Sequence, residues 1–173
     1  MGKIEYQEKI YYFQNGKIYD SSFCEVPTGI SNQILANRIK QVDYTKFTEA
    51  ELYNFIVELQ NGEQYGQCLQ VMYYGIAKFD SRDFAFKTYP KIASCLRKQK
   101  KPEEVIEFYN INKQKIATLN SSAFFTSLAA AYCDLEFYEN ALKCAKRAYA
   151  ISKGVVGIEL QFVFERIKQN TKN

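Results

Sequence analysis

The chain has 173 residues, 47% hydrophobic and 24% charged, with a formal net charge of +4. That is enough for one domain with a sizeable core, and the charge is too mild to argue for nucleic acid by itself. Histidine is absent, which removes His-based triads, the common zinc sites and the commonest general base.

In chain order, residues 9–14 and 17–20 are β-prone and flank Asn15-Gly16. Asn-Gly favours a two-residue turn because both central positions need φ > 0. The spacing predicts a β-hairpin with Phe13 opposite Ile18 and Tyr12 opposite Tyr19. A lone hairpin is marginal in water, so it is expected to pack on helices as a cap. Its functional alternative is an exposed tyrosine-rich contact surface. Val26-Pro27-Thr28-Gly29 is a break. A helix then runs to about Lys40, with Ile30, Ile34, Leu35 and Ile39 on one face and Thr28 or Ser31 as N-cap.

Thr48 and Glu51 form a capping-box pattern ahead of Leu52, Phe55, Ile56 and Leu59. Asn61-Gly62 ends that helix, and Tyr65 opens the next, which carries Cys68, Met72 and Gly75. Tyr89, Ile92, Ala93 and Leu96 mark another helix, in which Pro90 either makes a kink or marks the true start. Pro102 suits a first helical turn and precedes Val105, Tyr109 and Asn112. Phe125, Leu128, Ala129 and Tyr132 recur helically, residues 135–138 interrupt the period, and Ala141, Ala145 and Ala148 resume it. Ile158, Phe162, Val163 and Ile167 mark a last helix before a polar tail at 169–173, expected to fray.

The helix pairs are ordered alike. Cys68, Val105 and Ala141 hold equivalent places, 37 and 36 residues apart. The stretch 121–153 resembles a tetratricopeptide repeat, a helix-turn-helix unit of about 34 residues. Phe125, Leu128, Ala129 and Tyr132 match the family's helix A, and Tyr138, Ala141 and Ala148 match its helix B. Glu136 stands where the family has Gly, and Lys153 where it has Pro. The resemblance covers 48–153, and 168 with the last helix as cap. It implies a mainly α fold: a TPR-like α-solenoid of about three helical hairpins with a C-terminal capping helix, and an N-terminal β-hairpin outside it. The expected division is 1–45, hairpin and helix packed on the repeats, and 46–173, repeats with their cap as one compact unit. The whole chain resembles small tetratricopeptide proteins of Gram-positive bacteria and their mobile elements.

The resemblance implies a non-catalytic protein-protein interaction module, an adaptor or inhibitor. Its protein partner, of unstated identity, would bind through the concave groove or the N-terminal hairpin. By position the groove would show Tyr53, Val57, Gln60 and Asn61, then Lys87, Ser94, Arg97 and Lys98, then Thr126, Ala130 and Asp134. Chaperone-binding members hold a carboxylate with Lys and Asn, where this chain has Tyr53 and Val57, so that clamp is absent. The run Arg97-Lys98-Gln99-Lys100-Lys101 is expected to be a solvated helix end. Its alternative is the contact surface of a nucleic-acid-associated regulator. Tyr and Phe total 27 residues, which also makes an aromatic-rich interface a reasonable expectation.

No cofactor, metal site or enzyme activity is expected, since phosphate-cradling motifs are missing too. The five cysteines form no CxxC pair and are expected to be reduced and mostly buried. With no long apolar run, no secretory pattern and Tyr6 at the position a myristoylation motif gives to Ser or Thr, a cytoplasmic protein without membrane association is expected.

Overall fold

The structure is a computed structural model describing residues 2–14 and 17–170. The chain divides into two compact units, one ending at Phe79 and one beginning at Asp80. The division falls inside the stretch the sequence groups as one repeat array, and not at 45/46.

The first unit opens with an antiparallel sheet of order β1-β2-β3, made of β1 (Gly2–Tyr6), β2 (Lys9–Gln14) and β3 (Lys17–Tyr19). Phe13 pairs with Ile18 and Tyr12 with Tyr19, as the two-residue spacing predicts. Asn15 and Gly16 themselves lie outside the described residues. Strand β1 is a strand the sequence reading missed. It reaches β2 through Gln7 and Glu8, at φ 50° and 62°, so that Tyr6 pairs with Lys9. This turn asks for two left-handed residues, and neither Gln nor Glu advertises them. Alternation along the strands sends Ile4, Phe13 and Ile18 to the buried face, with Tyr6 and Tyr11 packed against them.

Helix α1 (Thr28–Gln41) packs on β1 and adds Ile34 and Leu35 to this core. Neither expected cap operates. Pro27 holds the N-cap position without a side-chain bond, and the Ser31 hydroxyl donates to the Val26 carbonyl at 3.0 Å. Ile30 leaves the predicted face and is 44% exposed, and the Ile39 side chain lies outside what is described.

After a 3-10 turn at Tyr44–Lys46, α2 (Glu49–Asn61) starts at the predicted capping box. The Thr48 and Glu51 backbone N–H groups each donate to the other's side chain. Leu52, Phe55, Ile56 and Leu59 are buried as predicted, and α2 packs on α3 (Tyr65–Phe79), where Cys68, Met72 and Gly75 are buried. Late in α3, Lys78 Nζ donates to the carbonyls of Thr45 and Phe47, and the Tyr74 hydroxyl donates to Thr45, which ties the 3-10 turn down. Arg38 of α1 lies 3.2 Å from the Glu58 carboxylate of α2. Burial pushes Glu58 above its ordinary value, and the arginine opposes that shift.

The second unit holds α4 (Arg82–Lys98), α5 (Pro102–Ile111), α6 (Lys113–Leu119), α7 (Ser122–Asp134), α8 (Tyr138–Ile151) and α9 (Ile158–Asn170). Helix α4 starts at Ser81, whose hydroxyl accepts from the Phe84 N–H at 3.2 Å, and runs through Pro90. Pro90 is therefore not a start. Its missing N–H leaves the Phe86 carbonyl without its helical partner, and Phe86 is on the solvent side at 46% exposure, where that loss costs least. Helix α6 is a further unpredicted element. Asn112 separates it from α5, donating to the Phe108 carbonyl at 2.9 Å and accepting from the Tyr89 hydroxyl at 3.4 Å.

Helix α7 packs on α4, α5, α8 and α9. Every residue from Phe124 to Ala131 is buried, as befits a helix apolar on all sides. Ala141, Ala145 and Ala148 of α8 are fully buried, and their small side chains let α8 approach α7 closely. Helix α9 buries Leu160, Val163 and Ile167. Its predicted face is thus half right, since Ile158 and Phe162 are 76% and 60% exposed.

Three hairpin turns are built alike. Glu63, Lys100 and Glu136 are left-handed, at φ 57°, 60° and 63°. The next N–H then reaches back five residues: Gln64 to Leu59 at 2.8 Å, Lys101 to Leu96 at 3.0 Å and Phe137 to Tyr132 at 2.9 Å. This is the Schellman bond that satisfies a terminal carbonyl. A helix begins two residues after each left-handed one, at Tyr65, Pro102 and Tyr138. Gly62, read from sequence as the helix-ending glycine, has φ −83° and is not the left-handed residue. It makes room instead, because a Cβ there would lie 2.3 Å from Leu35 Cδ1. Left-handed φ strains a residue with a Cβ. Glu63→Gly, Lys100→Gly and Glu136→Gly are each expected to raise stability by roughly 0.5–1 kcal/mol, read as a higher urea midpoint at unchanged slope.

Candidate functional site

Tyr53, Val57 and Gln60 recur at helical spacing on α2 and are half-buried, with Asn61 exposed at its end. On α4, Lys87 and Lys98 are exposed and Ser94 is half-buried. Lys87 is ion-paired with Asp83 one turn earlier. The residues expected from α7 are mostly closed off. Thr126 is 7% exposed with its hydroxyl bonded to the Ser122 carbonyl, and Ala130 is 2% exposed. Neither can meet a partner, because α7 is enclosed by the four helices packed on it.

Arg97 and Asp134 are brought together, but by each other. Arg97 Nε donates to Asp134 at 2.8 Å and its Nη1 to Glu159 at 3.2 Å, while Arg166 Nη1 donates to Asp134 at 2.7 Å. Two cations and two carboxylates thus tie α4, α7 and α9 together, with the Arg97 and Asp134 side chains only 22% and 28% exposed. Burial pushes the Asp134 carboxyl up, yet hydrogen bonds and charge from Arg97 and Arg166 outweigh it and hold it below its ordinary value. Arg97 is therefore engaged inside the fold and is not offered as a contact. The basic turn is likewise spoken for in part, since Lys101 pairs with Glu104 at 2.8 Å.

Two clefts of the first unit lie beside the start of β2, apart from another that Asn61 lines with residues of β3 and α1. A cleft of about 600 Å³ runs along the start of β2, with Ile10, Tyr11, Val26 and Ile30 as its apolar lining. A second, of about 460 Å³, shares Glu8, Lys9 and Ile10 with it and continues past Tyr6 to Asn37. Phe23, at φ 60° and 61% exposed, stacks on Tyr12 with ring centroids 5.2 Å apart. Asp20 holds that loop, its carboxylate accepting from the backbone N–H groups of Ser22 and Cys24 at 2.9 and 3.0 Å. The sequence offers the hairpin as an alternative contact element but no cleft, since Glu8 and Ile30 come to line one cleft only in the fold.

All five cysteines are free thiols: Cys68, Cys95 and Cys133 buried, Cys144 half-buried and Cys24 exposed. Burial pushes Cys133 up, and Cys144 to about 11. Thiol titration of the native chain near pH 8 is expected to show the exposed Cys24 reacting promptly and Cys144 far more slowly, because little of it is thiolate at that pH. Rapid reaction of all five would contradict the packing of α3, α4 and α7.

Among the described residues no cluster of three or more His, Cys, Asp or Glu could hold a metal ion, and no helix is long and apolar enough to cross a membrane. Comparison of the chain with protein-family models, with curated proteins and with solved structures gave no match.

Proposed function

We propose that the chain is a non-catalytic protein-binding module of tetratricopeptide-like design, an adaptor or inhibitor of a protein partner. The observation that carries this reading is the repeated hairpin: three Schellman turns with left-handed residues at 63, 100 and 136, at the spacing of the matched helix positions. A repeat of that kind holds surfaces for binding and brings no chemistry of its own. The packing of α4 on α5 and α7, and of α7 on α8 and α9, also suits consecutive hairpins stacked on one another.

Affinity capture by the full chain, with and without nuclease, tests the reading. The expected result is a stoichiometric protein partner that survives nuclease and raises the thermal midpoint of the purified chain, as a native-state ligand must. A partner lost to nuclease, with binding that falls steeply in salt and on reversing Lys98 and Lys100, would instead favour nucleic acid at the basic turn.

A further inference from the structure

We propose that the cleft beside β2 is the partner-docking surface of the first unit. Its occupant is an extended peptide segment carrying an apolar side chain flanked by lysine or arginine. The proposal rests on the binding-module reading and names the surface and ligand class within it.

The lining comes first. Ile10 and Ile30 are 39% and 44% exposed, and both face the cleft. Ile30 belongs to the apolar stripe of α1, yet the sheet core takes Ile34 and Leu35 and leaves it uncovered. The volume, about 600 Å³, lies within the range of formed binding pockets. The two clefts share Glu8, Lys9 and Ile10, so one extended strand can pass from one to the other.

Charge selects the occupant. Glu8, Asp20 and Glu25 line the larger cleft and Glu5 the smaller, against one cation, Lys9, among the described residues. Lys17 and Lys3 pair with Glu25 and Glu5 from outside the clefts. A phosphate backbone meets carboxylates here, whereas a cationic peptide meets complementary charge. The walls are set in advance. Gln7 and Glu8, which line the clefts, are left-handed without being glycine, and the lining residue Asp20 is fixed by accepting from the Ser22 and Cys24 N–H groups. Conformations of that cost persist where the surroundings over-determine them, and a pre-set wall lowers the ordering cost of binding.

The test uses the full chain, isotope-labelled for amide NMR, and two synthetic 12-residue peptides. Both have leucine at the centre; one has arginine flanks and the other glutamate flanks. The arginine peptide is expected to shift amides between residues 5 and 30, with affinity falling as salt rises, and the glutamate peptide to shift none. Ile30→Asp and Glu8→Lys should each weaken binding at least tenfold, while Ile158→Ser with Phe162→Ser leaves it unchanged. Glu8 sits on an exposed turn, so its variant stays informative should Ile30→Asp disturb α1. Equal binding of both peptides, or no amide shift at millimolar peptide, overturns the proposal. Shifts confined to residues 80–170 overturn the cleft while leaving the binding-module reading in place.

Discussion

Asp134→Ala is expected to lower the stability of the second unit by about 1–2 kcal/mol. The carboxylate accepts from Arg97 and from Arg166, and its removal strands two guanidinium groups against each other. Exposure decides the size. A fully exposed pair contributes about 0–1 kcal/mol; here the Arg97 and Asp134 side chains are 22% and 28% exposed and Arg166 42%, so the loss exceeds that of an open pair but falls short of a buried one. Arg97→Lys should cost less than Asp134→Ala, since it keeps the charge but cannot donate to Asp134 and Glu159 from one planar fork. Both are read from chemical denaturation. The native Asp134 carboxyl titrates below its unfolded value, so its contribution is present above about pH 3.9 and is lost as pH falls through the native pKa. Acid unfolding of the wild type should therefore carry a component that Asp134→Ala lacks. Identical acid profiles would mean that the pairing contributes nothing.

Ala141→Leu is expected to cost about 1–3 kcal/mol, and Ala145→Leu a similar amount. Both alanines are fully buried on the α8 face that lies against α7. Three added carbons have no void to enter there, so the helices must part or the leucine must leave its rotamer well. Thermal midpoint and amide exchange in α7 report the effect. Lys143→Leu, on the exposed side of the same helix, adds apolar bulk without that contact and should leave the midpoint near the wild-type value. Equal midpoints for all these variants would count against the close approach of the two helices.

Local chemistry made much of the fold legible. The Thr48–Glu51 capping box, Pro102 at a first turn, Tyr65 and Tyr138 as helix starts and the β2–β3 register all follow from residues within a few positions of one another. What escaped depends on distant parts of the chain. Gln7-Glu8 holds a turn that its own residues disfavour, because Ile4 and Tyr6 join a core completed by Phe13, Ile18 and Ile34. Gly62 caps the helix that ends at Asn61, as its position suggests, but only the approach of Leu35 shows why a side chain there would not fit. Arg97 and Asp134 look like surface charges at helix ends, and pairing across 37 residues leaves no local mark. Thr126 and Ala130 escaped for the same reason: periodicity shows one apolar face, while four neighbours bury every residue from Phe124 to Ala131.

Sheet order has a further consequence. Because β2 is central, β1 is an edge strand, and an edge recruits other strands into fibrils unless something deters them. Here Lys3 and Glu5 alternate with Ile4 along that edge and pair with each other at 3.3 Å on the exposed face. Any incoming strand must displace that pair and desolvate both charges. The same two side chains break what would otherwise be a short uncharged β-prone segment, Ile-Glu-Tyr with its neighbours, of the kind that seeds cross-β stacking. Lys3 and Glu5 thus act as gatekeepers for colloidal behaviour, and a chain carrying threonine at both positions would remain folded yet grow prone to ordered aggregation at high concentration.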